Sequence, residues 1–120
     1  MQYIGVDIIE IARIEQLIRR WGETFLQRVF TPAELKLFNN TSSLAARFAA
    51  KEAVLKALGA CDKGISWQEI EILSEPNGKP SVKLIGKAKQ QAEESTISKI
   101  NISLSHSKEY AVAFVVGETA

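Results

Sequence analysis

Cysteine is nearly missing from this chain. Cys61 is the one example in 120 residues, so an internal disulfide is excluded. Histidine is as scarce, with His106 alone, and without a histidine–cysteine cluster a zinc centre loses its usual ligands. No serine or cysteine nucleophile motif accompanies that histidine, and neither Gly-x-Gly-x-x-Gly nor Gly-x-x-x-x-Gly-Lys-Ser/Thr occurs, so triad hydrolysis and P-loop chemistry lose support. No apolar run approaches the roughly 20 residues that a membrane span requires, and the first residues lack a basic segment followed by an apolar stretch and a cleavage site. A soluble cytoplasmic protein with no membrane partner is expected. Charge of one sign is lacking too. The formal net is +1, too little for a global field that attracts nucleic acid, so a charged partner must be met by a local patch. Repeats, low-complexity tracts and linkers are absent. With 46% of its residues apolar, a chain of this length builds one core, and a single domain over residues 1–120 is expected.

The residues that are present divide into a helical half and a strand-rich half. Residues 3–11 are apolar and β-branched, which predicts a strand buried on both faces and interrupted by Asp7. From Ile11 the period changes: Ile11, Ile14, Leu17, Ile18, Trp21, Phe25 and Leu26 recur at helical spacing, with Arg13, Gln16, Arg20 and Gln27 on another face. This is an amphipathic helix, bent near Gly22. Thr31-Pro32-Ala33-Glu34 is a capping-box signature for a short helix to about Phe38. A polar turn over residues 39–43 follows, with Ser43 as the expected cap of a helix over residues 44–58 that is apolar around most of its circumference and ends in a left-handed Gly59. Strands over residues 65–73 and 81–85 flank the hairpin signal Asn77-Gly78. Residues 86–96 read as a surface helix or an irregular crossing. Ile100, Ile102 and Leu104 alternate in a strand that turns at Ser105-His106-Ser107-Lys108 into an apolar return strand over residues 110–116. The order implies an α+β fold, a long central helix packed on a mainly antiparallel sheet.

Two carboxylates stand where neither element gives a reason for them. At about 100° per residue, Glu52 falls among Ala45, Phe48, Ala49 and Leu55. Its plain explanation is an i, i+4 pair with Lys56, worth roughly 0.2–0.5 kcal/mol. Its functional explanation is a cation, a metal or a catalytic site. Asp7 is the second such carboxylate. If the fold unites them, the pair forms a hard, oxygen-only site suited to Mg²⁺, which takes one or two carboxylates and completes its shell with water and phosphate oxygens. Lys56 would then place an ammonium beside a phosphate. Arg47 and Lys51 would add charge from the same helix, or else form its solvated face. His106, flanked by Ser105 and Ser107, is either an ordinary turn residue or a phosphate hydrogen-bond donor.

Ile4-Gly5-Val6-Asp7-Ile8, the following Arg13, and Arg47-Phe48-Ala49-Ala50-Lys51-Glu52-Ala53-Val54-Leu55-Lys56-Ala57 together resemble the two signatures of the holo-[acyl-carrier-protein] synthases, a family of 4′-phosphopantetheinyl transferases. The resemblance continues to Ile102-Ser103-Leu104-Ser105-His106-Ser107 and so runs nearly end to end, with a length that fits the short, single-domain branch. It implies the 4′-phosphopantetheinyl transferase fold. It also implies transfer of the phosphopantetheine arm of coenzyme A to a serine of apo-acyl carrier protein, in support of fatty acid biosynthesis, with release of adenosine 3′,5′-bisphosphate. Asp7 and Glu52 would hold Mg²⁺ against the coenzyme A pyrophosphate. Glu52 and Lys56 would be catalytic. Arg47, Lys56, Gly64, Ser105 and His106 would bind coenzyme A, and Arg13 with Arg20 would dock the carrier. Homotrimers with active sites between subunits are implied as well. Sequence leaves open Mg²⁺ against Mn²⁺, and Glu52 against a water on the ion as the base. It also leaves open a carrier domain of secondary metabolism as the partner, and a binding module without turnover.

Overall fold

The longest helix of this computed structural model, which describes residues 1–120, is the one that carries Glu52. Chain order is β1 (Gln2–Glu10), α1 (Ile11–Trp21), α2 (Glu23–Val29), α3 (Pro32–Leu37), α4 (Thr41–Leu58), a 3-10 turn (Trp67–Glu69), β2 (Ile70–Ser74), β3 (Pro80–Leu84), α5 (Gly86–Glu94), β4 (Ile97–His106) and β5 (Tyr110–Thr119). The alanine- and leucine-rich run of α4 has high helix propensity. Its N-cap is Asn40, whose side-chain oxygen accepts from the Ser43 N–H at 2.8 Å, so the helix starts one turn earlier than expected and Ser43 is the recipient of the cap. Asn40 prevails because it alone of the two keeps an extended backbone outside the helix. At the other end Gly59 is left-handed (φ 64°), and the Ala60 N–H reaches back to the Leu55 carbonyl at 3.0 Å.

Strands β1, β5 and β4 form an antiparallel sheet in that order, with Asp7 opposite Ala113 and Ala113 opposite Leu104. α4 covers one face, burying Gly5, Ile9, Ala111, Ala113, Val115 and Ile102. The other face is bare. Ile4, Val6, Ile8 and Phe114 are exposed there, Ile8 by 63%, which corrects the expectation that β1 is buried on both sides: the chain has only one layer of helix to lay on this sheet. Gly5 lets that layer come close. A Cβ at this position would lie 1.9 Å from the Ala53 carbonyl oxygen and 2.8 Å from the Ala57 nitrogen, so helix backbone rests directly on strand backbone two residues before Asp7.

The amphipathic stretch breaks at Gly22 (φ 53°) into α1 and α2. The capping box at Thr31 and Glu34 is formed on both sides. The hairpin β2–β3 pairs Ser74 with Pro80 across the Asn77-Gly78 turn, but residues 65–69 precede the strand as a loop and a 3-10 turn that Ser66 caps. Residues 86–94 are helical, and the Glu69 carboxylate accepts from the first free N–H groups of Lys87 and Ala88. Partial burial of Glu69 works against its charge, yet the N–H donors of Ser66, Ala88 and Lys87 outweigh it and hold this carboxyl below its ordinary pKa.

Candidate active site

Asp7 sits mid-strand on the covered face of β1, in the row between Gly5 and Ile9. Lys56, one turn after Glu52 on α4, reaches across and donates to Asp7 Oδ1 and to the Val6 carbonyl, both at 3.0 Å. The side chains are 18% exposed for Asp7 and 48% for Lys56. The Glu52–Lys56 pair that would have been the plain explanation of Glu52 is not made, because Lys56 has a better-placed carboxylate on the strand. Glu52 is half-buried and has no hydrogen-bond or ion-pair partner in the chain.

Glu52 and Asp7 line the same cleft, of about 560 Å³, together with Ile8, Ile9, Arg13, Leu17, Trp21, Thr24, Phe25, Arg28, Val29, Phe48 and Trp67. One wall is cationic and one aromatic: Arg13 and Arg28 come from α1 and α2, while Phe48 packs against Phe25 and Trp67 at ring separations of 6.5 and 5.8 Å. The cleft thus joins two hard oxygen donors to arginines and an apolar wall. No group of three or more histidine, cysteine or carboxylate side chains gathers anywhere in the chain, so a metal held here would have at most these two protein carboxylates. That donor set fits Mg²⁺, which keeps waters, and does not fit zinc.

The other candidates lie elsewhere in the chain. Arg20 is exposed on α1, its guanidinium 5.2 Å from the Trp21 ring centre, outside the cleft lining. Arg47 stacks on Phe38 at 3.7 Å, and its Nε is buried without a partner. Burial holds the Arg47 pKa below its ordinary value, against the opposing charge of Glu34. Gly64 (φ 71°) lies in the exposed turn after α4, 3.9 Å from Lys87 Nζ measured from where a Cβ would stand. Ser105 and His106 end β4, opposite Val112 and Ala111, and strand alternation sends them to opposite sheet faces. The fold unites Asp7, Glu52, Lys56 and Arg13. Arg20, Arg47, Gly64, Ser105 and His106 do not line the cleft.

Lys51 is corrected outright. It is neither solvated nor itself part of the cleft lining: with its side chain and that of Glu34 at 0% exposure, its ammonium donates to Glu34 Oε1 at 2.8 Å, the Ile70 carbonyl at 2.6 Å and, behind the cleft wall, the Trp67 carbonyl at 3.0 Å. Burial lowers the Lys51 pKa, and the carboxylates of Glu34 and, more weakly, Glu71 oppose that shift. Sequence reasoning also missed Arg28, Thr24 and Trp67 as cleft residues. Trp21 and Phe25 were legible only as members of an apolar stripe.

A family model described as the 4′-phosphopantetheinyl transferase superfamily matches residues 3–115, and the chain belongs to that superfamily. Its relatives are holo-[acyl-carrier-protein] synthases. That of Dehalococcoides mccartyi strain ATCC BAA-2266 is 55% identical over 119 residues, covering 98% of this chain and 99% of the relative. The crystal structure of the Helicobacter pylori holo-[acyl-carrier-protein] synthase in complex with coenzyme A is similar with a TM-score of 0.87 at 37% identity, over 96% of this chain and 99% of that one. The Neisseria meningitidis holo-[acyl-carrier-protein] synthase matches with a TM-score of 0.89 at 36% identity, over 98% of both chains. The α+β architecture expected from the sequence is the one these neighbours share.

Proposed function

We propose that this chain is one 4′-phosphopantetheinyl transferase domain that moves the 4′-phosphopantetheine arm of coenzyme A to a serine of apo-acyl carrier protein, in the cytoplasm and in support of fatty acid biosynthesis. The observation that carries this reading is the meeting of Asp7 and an unpartnered Glu52 in a cleft walled by Arg13 and aromatic rings. In the transfer, the serine oxygen–phosphorus bond forms, the bond from phosphorus to the oxygen of adenosine 3′,5′-bisphosphate breaks, and the serine proton is released. Asp7 and Glu52 would hold Mg²⁺. When bound, that ion supplies neutralisation of the pyrophosphate charge. Lys56 is poised to exchange Asp7 for a phosphate oxygen, since its side chain is half exposed and its bond to Asp7 is a surface-type pair of modest worth. Glu52, free of any partner, orients the serine hydroxyl. Chromatographic detection of adenosine 3′,5′-bisphosphate from coenzyme A, only when apo-carrier is present, tests this reading; coenzyme A binding without release would reduce the protein to a binding module.

Arg13 and Arg20 serve the carrier, an acidic protein whose docking gains from complementary charge. Arg13→Ala is expected to raise KM for the carrier by roughly 10-fold, near the low end of the about 1.5–3 kcal/mol of a hydrogen bond to a charged group, with KM for coenzyme A unchanged. Steady-state kinetics at two ionic strengths check it, because the parent should lose more affinity with salt than the variant. Equal rises in both KM values would remove the docking role.

Self-association, with a trimer as the assembly, is supported by the bare sheet face. Ile4, Val6, Ile8 and Phe114 form a contiguous apolar surface, since Val6 pairs with Phe114 and Ile8 with Val112. Ser105 lies in the same cross-strand row as Ile8 and Val112, so covering this face with another copy would carry Ser105 to a shared boundary. Such an assembly would give Ser105 a route to a site between copies of the chain. Phe114→Glu is expected to convert trimers to monomers in light scattering and to lower turnover; a monomeric parent would contradict the assembly.

A further inference from the structure

We propose that Lys51 is a positioning residue for the transfer, acting through Glu52 and Trp67 by fixing the rotation of α4. The proposal rests on the reading of Glu52 as a reactive carboxylate. α4 has no apolar stripe to orient it, since Leu44, Ala45, Ala46, Ala49, Ala50, Ala53, Val54, Leu55, Ala57 and Leu58 are buried on nearly every side. Most of these are alanines, which make shallow ridges and few knobs, so beyond the seat of Ala53 and Ala57 on Gly5 packing offers little to fix the roll of the helix. A polar lock sets it. All three ammonium protons of Lys51 are used, on Glu34 Oε1 and on the carbonyls of Trp67 and Ile70. Glu34 is fixed in turn by the N–H of Thr31 at 2.8 Å and of Ile72 at 2.7 Å. The lock joins α3, α4, the 3-10 turn and β2.

Glu52 is the next residue, about 100° further round the helix. Trp67, whose carbonyl the lock holds, forms the cleft wall beside Phe48. At a radius of about 5–6 Å, a 20° roll moves a side-chain tip by about 2 Å, and a misplacement of about 1 Å can cost on the order of 100-fold in rate. Buried ion pairs are often replaceable by apolar residues without loss of stability, their best-attested use being to specify register.

The test compares Glu34→Gln and the double variant Glu34→Leu/Lys51→Met with the parent, by melting temperature, kcat, KM for coenzyme A, and Mn²⁺ affinity from electron paramagnetic resonance. The double variant is expected to fold but to melt below the parent, because the carbonyls of Trp67 and Ile70 and the N–H groups of Thr31 and Ile72 lose their partners; well below its melting temperature, kcat is expected to be lowered about 10- to 100-fold and Mn²⁺ affinity weakened by about 10-fold or more, with KM for coenzyme A moved much less. Glu34→Gln is expected to move kcat and Mn²⁺ affinity the same way by less. A folded variant with parental kcat and Mn²⁺ affinity would overturn the proposal, and so would failure of both variants to fold, which would assign the pair to stability alone. A parent that binds Mn²⁺ but transfers nothing would instead sink the transferase reading, while the Mn²⁺ comparison would still judge the lock.

Discussion

Glu52→Gln is expected to lower transfer turnover by at least about 100-fold, the cost of removing one preorganised electrostatic group from a reaction that develops charge, while the melting temperature stays within a few degrees of the parent. The two halves of this expectation come from the same geometry. Glu52 has neither a hydrogen-bond nor an ion-pair partner in the chain, Lys56 being committed to Asp7. Its replacement by a neutral isostere therefore removes no bond from the fold. It does remove the negative charge that, in the proposed function, would help hold a divalent cation and orient the attacking serine. Turnover against apo-carrier and a thermal melt, run on the same preparation, check the pair of outcomes. A sharp fall in melting temperature with turnover retained would mean that Glu52 is a structural residue.

Gly5→Ala is expected to destabilise the protein by about 3 kcal/mol or more, at or beyond the upper end for overpacking, a drop of roughly 10 °C in Tm. The added methyl would meet the Ala53 carbonyl oxygen at 1.9 Å and the Ala57 nitrogen at 2.8 Å. Both are helix backbone, and neither can swing aside as a side-chain tip would. The strand must move off α4, and with it Asp7 moves away from Lys56 and Glu52. Turnover should fall with stability, measured as residual activity well below the transition so that unfolding does not contribute. The requirement at Gly5 is for space alone, since the left-handed conformations in this chain belong to other glycines and to Thr96. A Gly5→Ala protein with parental Tm would show that the helix can be displaced cheaply.

Much of the site was legible because its residues break local rules. Asp7 in an apolar strand and Glu52 on an apolar helix are conflicts that secondary structure alone cannot explain, and the structure brings both to one cleft. Lys51 was not legible. A buried lysine and a solvated one are the same letter, and what decides between them is Glu34, which sits 17 positions away and reads locally as a capping residue. The capping reading is correct as far as it goes: Glu34 accepts from the Thr31 N–H and from Lys51 with the same oxygen. Arg28 was missed for a different reason. The break at Gly22 turns α2 relative to α1, so a single helical wheel cannot place residues on both sides of it. The strand β1 misled because hydrophobicity reports that a face is apolar without saying what covers it; Ile4, Val6 and Ile8 are exposed here.

The most direct measurement is the intact mass of apo-acyl carrier protein after incubation with this protein and coenzyme A, with Mg²⁺ and in parallel with a chelator. A gain of one phosphopantetheine group with Mg²⁺ and none with the chelator is the predicted result. An unchanged mass with Mg²⁺ present would contradict the transferase, and conversion in the chelator would contradict the metal assigned to Asp7 and Glu52.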